Sequence, residues 1–203
     1  MNHELLTRRS LLSRVRDASD AAAWSEFEAR YRELIVRYAR ARGLQPADAD
    51  DVSQAVMAKL CRSLCNFEYD PGKGRFRTYL YRAVRNEVAE FFSRPNTRLN
   101  TVEDCAAIPD TPAGDEADAE WEREWENHHL RLAMATVRTT FDEQSVQVFE
   151  RLLAGDSVES LAESFSTSPQ AVHKIKQRIR NRMHELIARQ TAEEDDPEAA
   201  LPA

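Results

Sequence analysis

The chain has 203 residues, 42% of them hydrophobic and 31% charged, a balance that suits modest helical cores rather than one large interior. No apolar run approaches the roughly 20 residues that cross a bilayer, and the opening MNHELLTRRS holds no apolar stretch fit for an export signal. Neither membrane insertion nor export is therefore expected, and the expected location is the cytoplasm.

The net charge of −7 argues against a nucleic-acid partner only until it is divided along the chain. Residues 1–98 carry 18 basic and 13 acidic side chains, and residues 131–190 carry 9 and 7. Residues 99–130 carry 1 and 10, and residues 191–203 carry none and 5. The acidity thus sits in a connector and a tail, while the two stretches with folded patterning are basic.

In chain order, Asp20 is a suitable N-cap for a first helix. Trp24, Phe27, Tyr31, Leu34, Ile35 and Tyr38 follow at three- and four-residue steps, and Gly43 ends it. A second helix is expected from about Pro46, burying Val52, Val56, Leu60 and Leu64 and stopping before the turn-rich NFEYDPGKG of residues 66–74. A third runs from about Arg75 to Ser93 with Phe76, Leu80, Val84, Val88 and Phe91 on one side, and Pro95 marks its end. Spacing alone leaves open which way Tyr79 and Tyr81 face.

Residues from about Asn96 to Glu120 contain Pro109, Pro112, Gly114 and many acids without periodicity, so they read as a solvated linker. Helical pattern resumes at Trp121 and carries Leu130, Met134 and Val137. Trp121 and Trp125, four apart, are expected to pack on the second module. Asp142 then caps a helix holding Val146, Phe149, Leu152 and Leu153, which Gly155 closes. Asp156 with Glu159 has the form of a capping box before a short helix with Val158, Leu161, Ala162 and Phe165. Ser166, Thr167 and Ser168 make a tight turn, Ser168 caps the next helix and Pro169 takes its first position. That helix places Val172, Ile175, Ile179, Met183 and Leu186 inward, and the tail from Thr191 is expected to be unstructured.

Cys61, Cys65 and Cys105 are an odd number, which speaks against a disulfide framework. With His128 and His129 they match no common zinc spacing, so neutral thiols and no metal or other cofactor are expected.

A short helix, a three-residue turn and a longer helix form a helix-turn-helix, whose second helix enters the major groove. From Pro169 to Met183 that helix carries Lys174, Lys176, Arg178, Arg180 and Arg182 and no acid. Gln170, His173, Lys174 and Gln177 lie near its start on a face away from the apolar stripe, where side chains reach base edges. Lys176, Arg178 and Arg180 lie further along, where cations hold phosphates.

The stretch SLAESFSTSPQAVHKIKQRIRNRMHEL resembles region 4 of the sigma-70 family, which reads the minus-35 promoter element. Ser166 stands where that family often has glycine, and Ala171 where threonine is common. AWSEFEARYRELIVRYARARGL followed by DADDVSQAVMAKLCRSL resembles regions 2.1 and 2.2, which clamp a coiled coil of the polymerase beta-prime subunit. FEYDPGKGRFRTYLYRAVRNEVAEFFSR resembles regions 2.3 and 2.4, which take the minus-10 element. The whole is similar to an extracytoplasmic-function (ECF) sigma factor, the group that keeps only regions 2 and 4.

The resemblance implies an all-α fold of two small helical domains: region 2 over residues 1–95, an acidic linker over 96–125, region 4 over 126–190 and a tail over 191–203. It assigns Asp48, Asp51 and Gln54 to polymerase; by themselves these acids equally suit a helix start. To minus-10 DNA it assigns Asn66, Phe67, Tyr69, Lys73 and Arg75 in the loop, then Arg77, Arg82, Arg85 and Asn86. The helix ends in Phe91, Phe92 and Ser93 where relatives often carry a basic cluster. The implied partners are core RNA polymerase, through the beta-prime coiled coil and the beta flap, and promoter DNA; whether an anti-sigma factor also binds stays open. A protein of this kind works by binding, and the sequence offers no phosphate-cradling glycine loop, nucleophile and base pair or HExxH pattern for an enzyme. The alternative is a helix-turn-helix regulator whose first 95 residues sense a ligand or dimerise.

Overall fold

The computed structural model describes residues 11–64, 76–94 and 115–195. Among the described residues there are eight helices and no strand, so the fold is all-α. They are α1 (Leu11–Arg14), α2 (Ala21–Ala41), α3 (Pro46–Leu64), α4 (Phe76–Ser93), α5 (Asp115–Thr140), α6 (Glu143–Leu153), α7 (Val158–Ser164) and α8 (Pro169–Asp195). None of them is long and apolar enough to cross a membrane. Two compact units form: residues up to Trp125 with those from Ala192 onward, and Glu126–Thr191. The boundary falls inside α5 and α8.

In the first unit, α2 starts where the Asp20 carboxylate accepts the Ala23 amide at 2.8 Å, as the cap pattern predicts. Its apolar stripe, Phe27, Tyr31, Leu34, Ile35 and Tyr38, is fully buried against Val56 and Leu60 of α3 and Phe76, Leu80 and Val84 of α4. Each such side chain contributes roughly 1.5–3 kcal/mol by leaving water. Phe76 sits 5.9 Å from Phe27 and 5.3 Å from Tyr31, ring centre to ring centre, so the start of α4 is anchored on α2. Tyr81 is buried, and Tyr79 packs on the core while its hydroxyl donates to Ser63 Oγ at 2.6 Å. Both tyrosines whose direction the spacing left open therefore face inward. The short α1, which no periodicity announces, adds Leu11, Leu12 and Val15 to the same core.

The second unit packs Ala133, Met134 and Val137 of α5 against Val146 and Phe149 of α6 and Ile179 and Leu186 of α8. A second cluster joins Val148 to Leu161 and Ala162 of α7 and Val172 of α8. Val148 turns inward and Leu153 stays 69% exposed, so the buried face of α6 is rotated from the expected one. His128 and His129 are buried, and His129 Nδ1 shares a hydrogen bond of 3.1 Å with Gln190 Oε1; this pair serves the packing of α5 on α8. Cys61 is a half-buried residue of α3, and Cys65 and Cys105 lie outside the described residues.

Three expectations change. Helix α5 begins at Asp115, so residues 115–125 are helical rather than solvated linker, and Trp121 and Trp125 are buried in the core of the first unit. Helix α8 continues to Asp195 into the region expected to be unstructured. Its Glu194 is buried and accepts the Tyr31 hydroxyl at 2.7 Å, while Glu193 reaches Arg30 at 3.5 Å. Burial, with Glu194 adding to it, holds the Tyr31 phenol well above its ordinary range. Finally, the N-cap of α7 is Ser157, whose hydroxyl accepts the Ser160 amide at 3.1 Å. Asp156 is diverted to Arg151 at 2.6 Å and does not cap.

Candidate nucleic-acid interface

The helix-turn-helix of the second unit is built from backbone rules. Three helices in the chain end alike, with one amide bonding five residues back and the preceding amide bonding three residues back. The pairs are Leu44 to Ala39 with Gly43 to Arg40, Asp156 to Arg151 with Gly155 to Leu152, and Thr167 to Ala162 with Ser166 to Glu163. This closure requires a left-handed residue, which glycine adopts without a Cβ clash. Gly43 and Gly155 have φ of 98° and 103°, and Ser166 holds the same role at φ 47°. The Ser168 hydroxyl then accepts the Ala171 amide at 3.1 Å, and α8 starts with Pro169 at its first turn.

This turn leaves one face of α8 in solvent. Gln170, His173, Lys174, Lys176, Gln177, Arg178 and Arg180 are all exposed. His173, Lys174, Lys176 and Arg180 make no side-chain bond or ion pair among the described residues, so they are available to a partner. Gln177 donates to Asn181 at 2.7 Å, which extends the polar stripe of Gln170, Lys174 and Gln177 by one turn. Asn181 was missed by the sequence reading, although its spacing of four from Gln177 announces it. Arg178 differs from its neighbours: it lies over the Phe141 ring at 5.1 Å, 3.4 Å from Ser145 Oγ and 3.7 Å from Asp142. It braces the start of α6, where the Ser145 amide on the Asp142 carboxylate lowers that acid below its usual range.

In the first unit, Asp48 is half-buried in the first turn of α3, while Asp51 and Gln54 are exposed three residues apart on one face. Neither of the latter two is engaged by another described residue. Asp50 is the acid that is used internally, 3.0 Å from Arg32 of α2. Asn66, Phe67, Tyr69, Lys73 and Arg75 lie outside the described residues.

On α4, Arg82, Arg85 and Asn86 are half-buried, and the Arg85 guanidinium lies over the Tyr81 ring at 5.6 Å. Arg77 is paired with Glu122 of α5 and lies over the Trp125 ring at 5.5 Å. Trp121 stacks on Tyr81 at 5.2 Å and meets Tyr38 edge-on at 5.4 Å. Burial first, and the Asp118 carboxylate next, raise the Tyr81 phenol above its ordinary range. Further along, the buried Glu87 lies 2.5 Å from Lys59 and 3.5 Å from Arg94. Glu90 completes this network, held low by Arg94 at 2.7 Å and Lys59 at 3.0 Å. Partial burial opposes the charge on Lys59, yet Glu87 and Glu90 outweigh it and its ammonium is held above its usual range. The network stitches α3 to α4 and was not visible in the sequence, because partners 28 and 31 residues apart show no period.

Residues 29–98 match the family model for sigma-70 region 2. No curated protein matches the chain. Among solved structures that match is one described as "Structure of CnrH in complex with the cytosolic domain of CnrY". It is 20% identical over 90% of this chain and 97% of that one, with a TM-score of 0.36.

Proposed function

We propose that the chain is a sigma factor of the ECF type, which brings core RNA polymerase to promoter DNA, a reading supported by the match of residues 29–98 to the family model for sigma-70 region 2. The observation that carries the reading is the conjunction of a matched region 2 with a capped helix-turn-helix whose second helix exposes His173, Lys174, Lys176 and Arg180 without partners among the described residues.

In this reading Asp51 and Gln54, with Asp48 one turn earlier, face the beta-prime coiled coil. A carboxylate and an amide three residues apart pair with a basic helix and hydrogen-bond across the interface. The beta flap takes the second unit. Phe67 and Tyr69 stack on an extruded base, and stacking of this kind offsets the few kcal/mol lost on unstacking. Asn66, Lys73, Arg75, Arg82, Arg85 and Asn86 hold the adjoining strand. On α8, Gln170, His173, Lys174 and Gln177 read base edges of minus-35, and Lys176 and Arg180 hold phosphates. Arg178 contributes through its brace on α6. The protein acts by binding, and bond chemistry stays with the polymerase.

A run-off assay with purified core polymerase and a promoter library tests this. Discrete transcripts that need the chain, and that vanish with Asp51→Arg, are the expected outcome. Transcripts unchanged by adding the chain, together with no co-purification of core enzyme, would exclude it.

A further inference from the structure

The arginine nearest the start of α4 is covered within its own unit by a segment with the chemistry of a nucleic-acid strand. Residues 115–125 hold six acids and one base. Glu122 pairs with Arg77, and the Trp125 ring lies against the same guanidinium at 5.5 Å. Single-stranded DNA grips a protein by the same two means, an anion on a cation and a flat ring on a cation or aromatic face.

Four residues earlier, Trp121 is 2% exposed between Tyr38 and Tyr81, which makes it a fixed anchor. Trp125, 5% exposed, is a second anchor, and the contact open to water is the carboxylate between the two. Glu122 remains 56% exposed while the Arg77 nitrogen it meets is shielded, so the carboxylate is the member of the pair that water and other anions compete for.

We propose that Glu122 forms a displaceable cover on Arg77, standing in for a phosphate until single-stranded DNA takes its place. Trp121 and Trp125 stay seated in the core and only the Glu122 side chain swings away. The proposal rests on the reading of α4 as the strand-holding helix. It supplies a regulation of that site: Arg77 is withheld from DNA in the free chain and becomes available where a strand competes.

The test is a double-mutant cycle on the full chain, read as affinity for a fluorescent 20-nucleotide single-stranded DNA of mixed sequence. Glu122→Gln is expected to tighten binding about two- to fivefold, the range a partly exposed ion pair spans. Glu28→Gln makes the same charge change at an exposed position of α2 and is expected to leave binding unchanged. In an Arg77→Gln background, which keeps much of the stem over Trp125, the gain from Glu122→Gln is expected to vanish. Equal effects of the two glutamate variants, or a gain that persists without Arg77, would overturn the cover. Core-polymerase binding and run-off transcription of the unaltered chain separate the two levels. If both succeed while the cycle is flat, only the cover fails; if both are absent, the reading and the cover fall together.

Discussion

Replacing Trp121 by alanine is the most direct probe of where residues 115–125 belong. The side chain is 2% exposed and touches Tyr38, Tyr81 and Trp125 at ring separations of 5.4, 5.2 and 5.7 Å. Removing a buried tryptophan costs about 3–5 kcal/mol, because transfer free energy is lost and the cavity closes only in part. Against a domain stability of about 5–15 kcal/mol this is a large fraction. At 1.4 kcal/mol per factor of ten, the slowest amides of α2 and α4 should exchange with solvent roughly two to four orders of magnitude faster. Amides of α6 and α7 in the second unit should keep their rates. Trp121→Phe, which retains a ring against Tyr81, should recover about half of the loss. Peptide-resolved hydrogen exchange reads all three. If protection falls in α6 and α7 instead, or changes nowhere, Trp121 is not part of the first core.

At Ser166 the left-handed φ of 47° predicts that glycine is about 1 kcal/mol more favourable than alanine, so the Ser166→Gly chain should melt a few degrees above Ser166→Ala in a thermal scan. Tyr31, Tyr38, Tyr79 and Tyr81 all have phenols raised mainly by burial. A raised phenol contributes stability that is complete below its unfolded value of about 10 and is lost as pH climbs from there toward the folded value. Absorbance at 295 nm should therefore show these four ionising only as the first unit unfolds in alkali; a free titration near pH 10 with helicity intact would contradict the burial. On α8, Lys176→Ala should reduce the salt dependence of promoter binding by about one unit of log–log slope. Arg178→Ala, which releases Phe141, Ser145 and Asp142, should lower the melting temperature and change the slope less.

Most of the architecture was legible because it rests on local rules. The stripe of α2, the Asp20 and Asp142 caps, the closures at Gly43 and Gly155 and the Ser168–Pro169 start of α8 are each decided within a few residues. The misreadings have a common physical cause. Acid-rich composition suggested solvation for residues 115–125 and 191–195, but three of their acids meet a cation or a buried hydroxyl far away in sequence. Glu122 finds Arg77, and Glu193 and Glu194 find Arg30 and Tyr31, at separations no periodicity reveals. Asp156 lost the capping role to Ser157 for a similar reason, since Arg151 five residues earlier claims its carboxylate. At the candidate site, the exposed face of α8 follows from its apolar stripe alone, whereas the divergence of Arg178 from Lys174 and Lys176 depends on what α6 places beside it.

Counting charge along the chain therefore measures the two units differently. The excess of basic residues over 1–98 is partly cancelled inside its own unit by acids from the connector and the end of α8, so that unit shows less free positive charge than its sequence suggests. Helix α8 keeps Lys176 and Arg180 exposed and without partners among the described residues, and under the proposed function each adds one phosphate contact. Two such contacts give a log–log salt slope of only about −2, which at physiological salt leaves isolated duplex binding weak. If the proposed function holds, affinity must come from joining the modules on polymerase, where the second contact forms at high effective concentration. A gel shift in which the chain alone holds promoter duplex tightly and specifically at 150 mM salt, on the order of the Debye-screened cellular condition, would break that chain of reasoning at its electrostatic step.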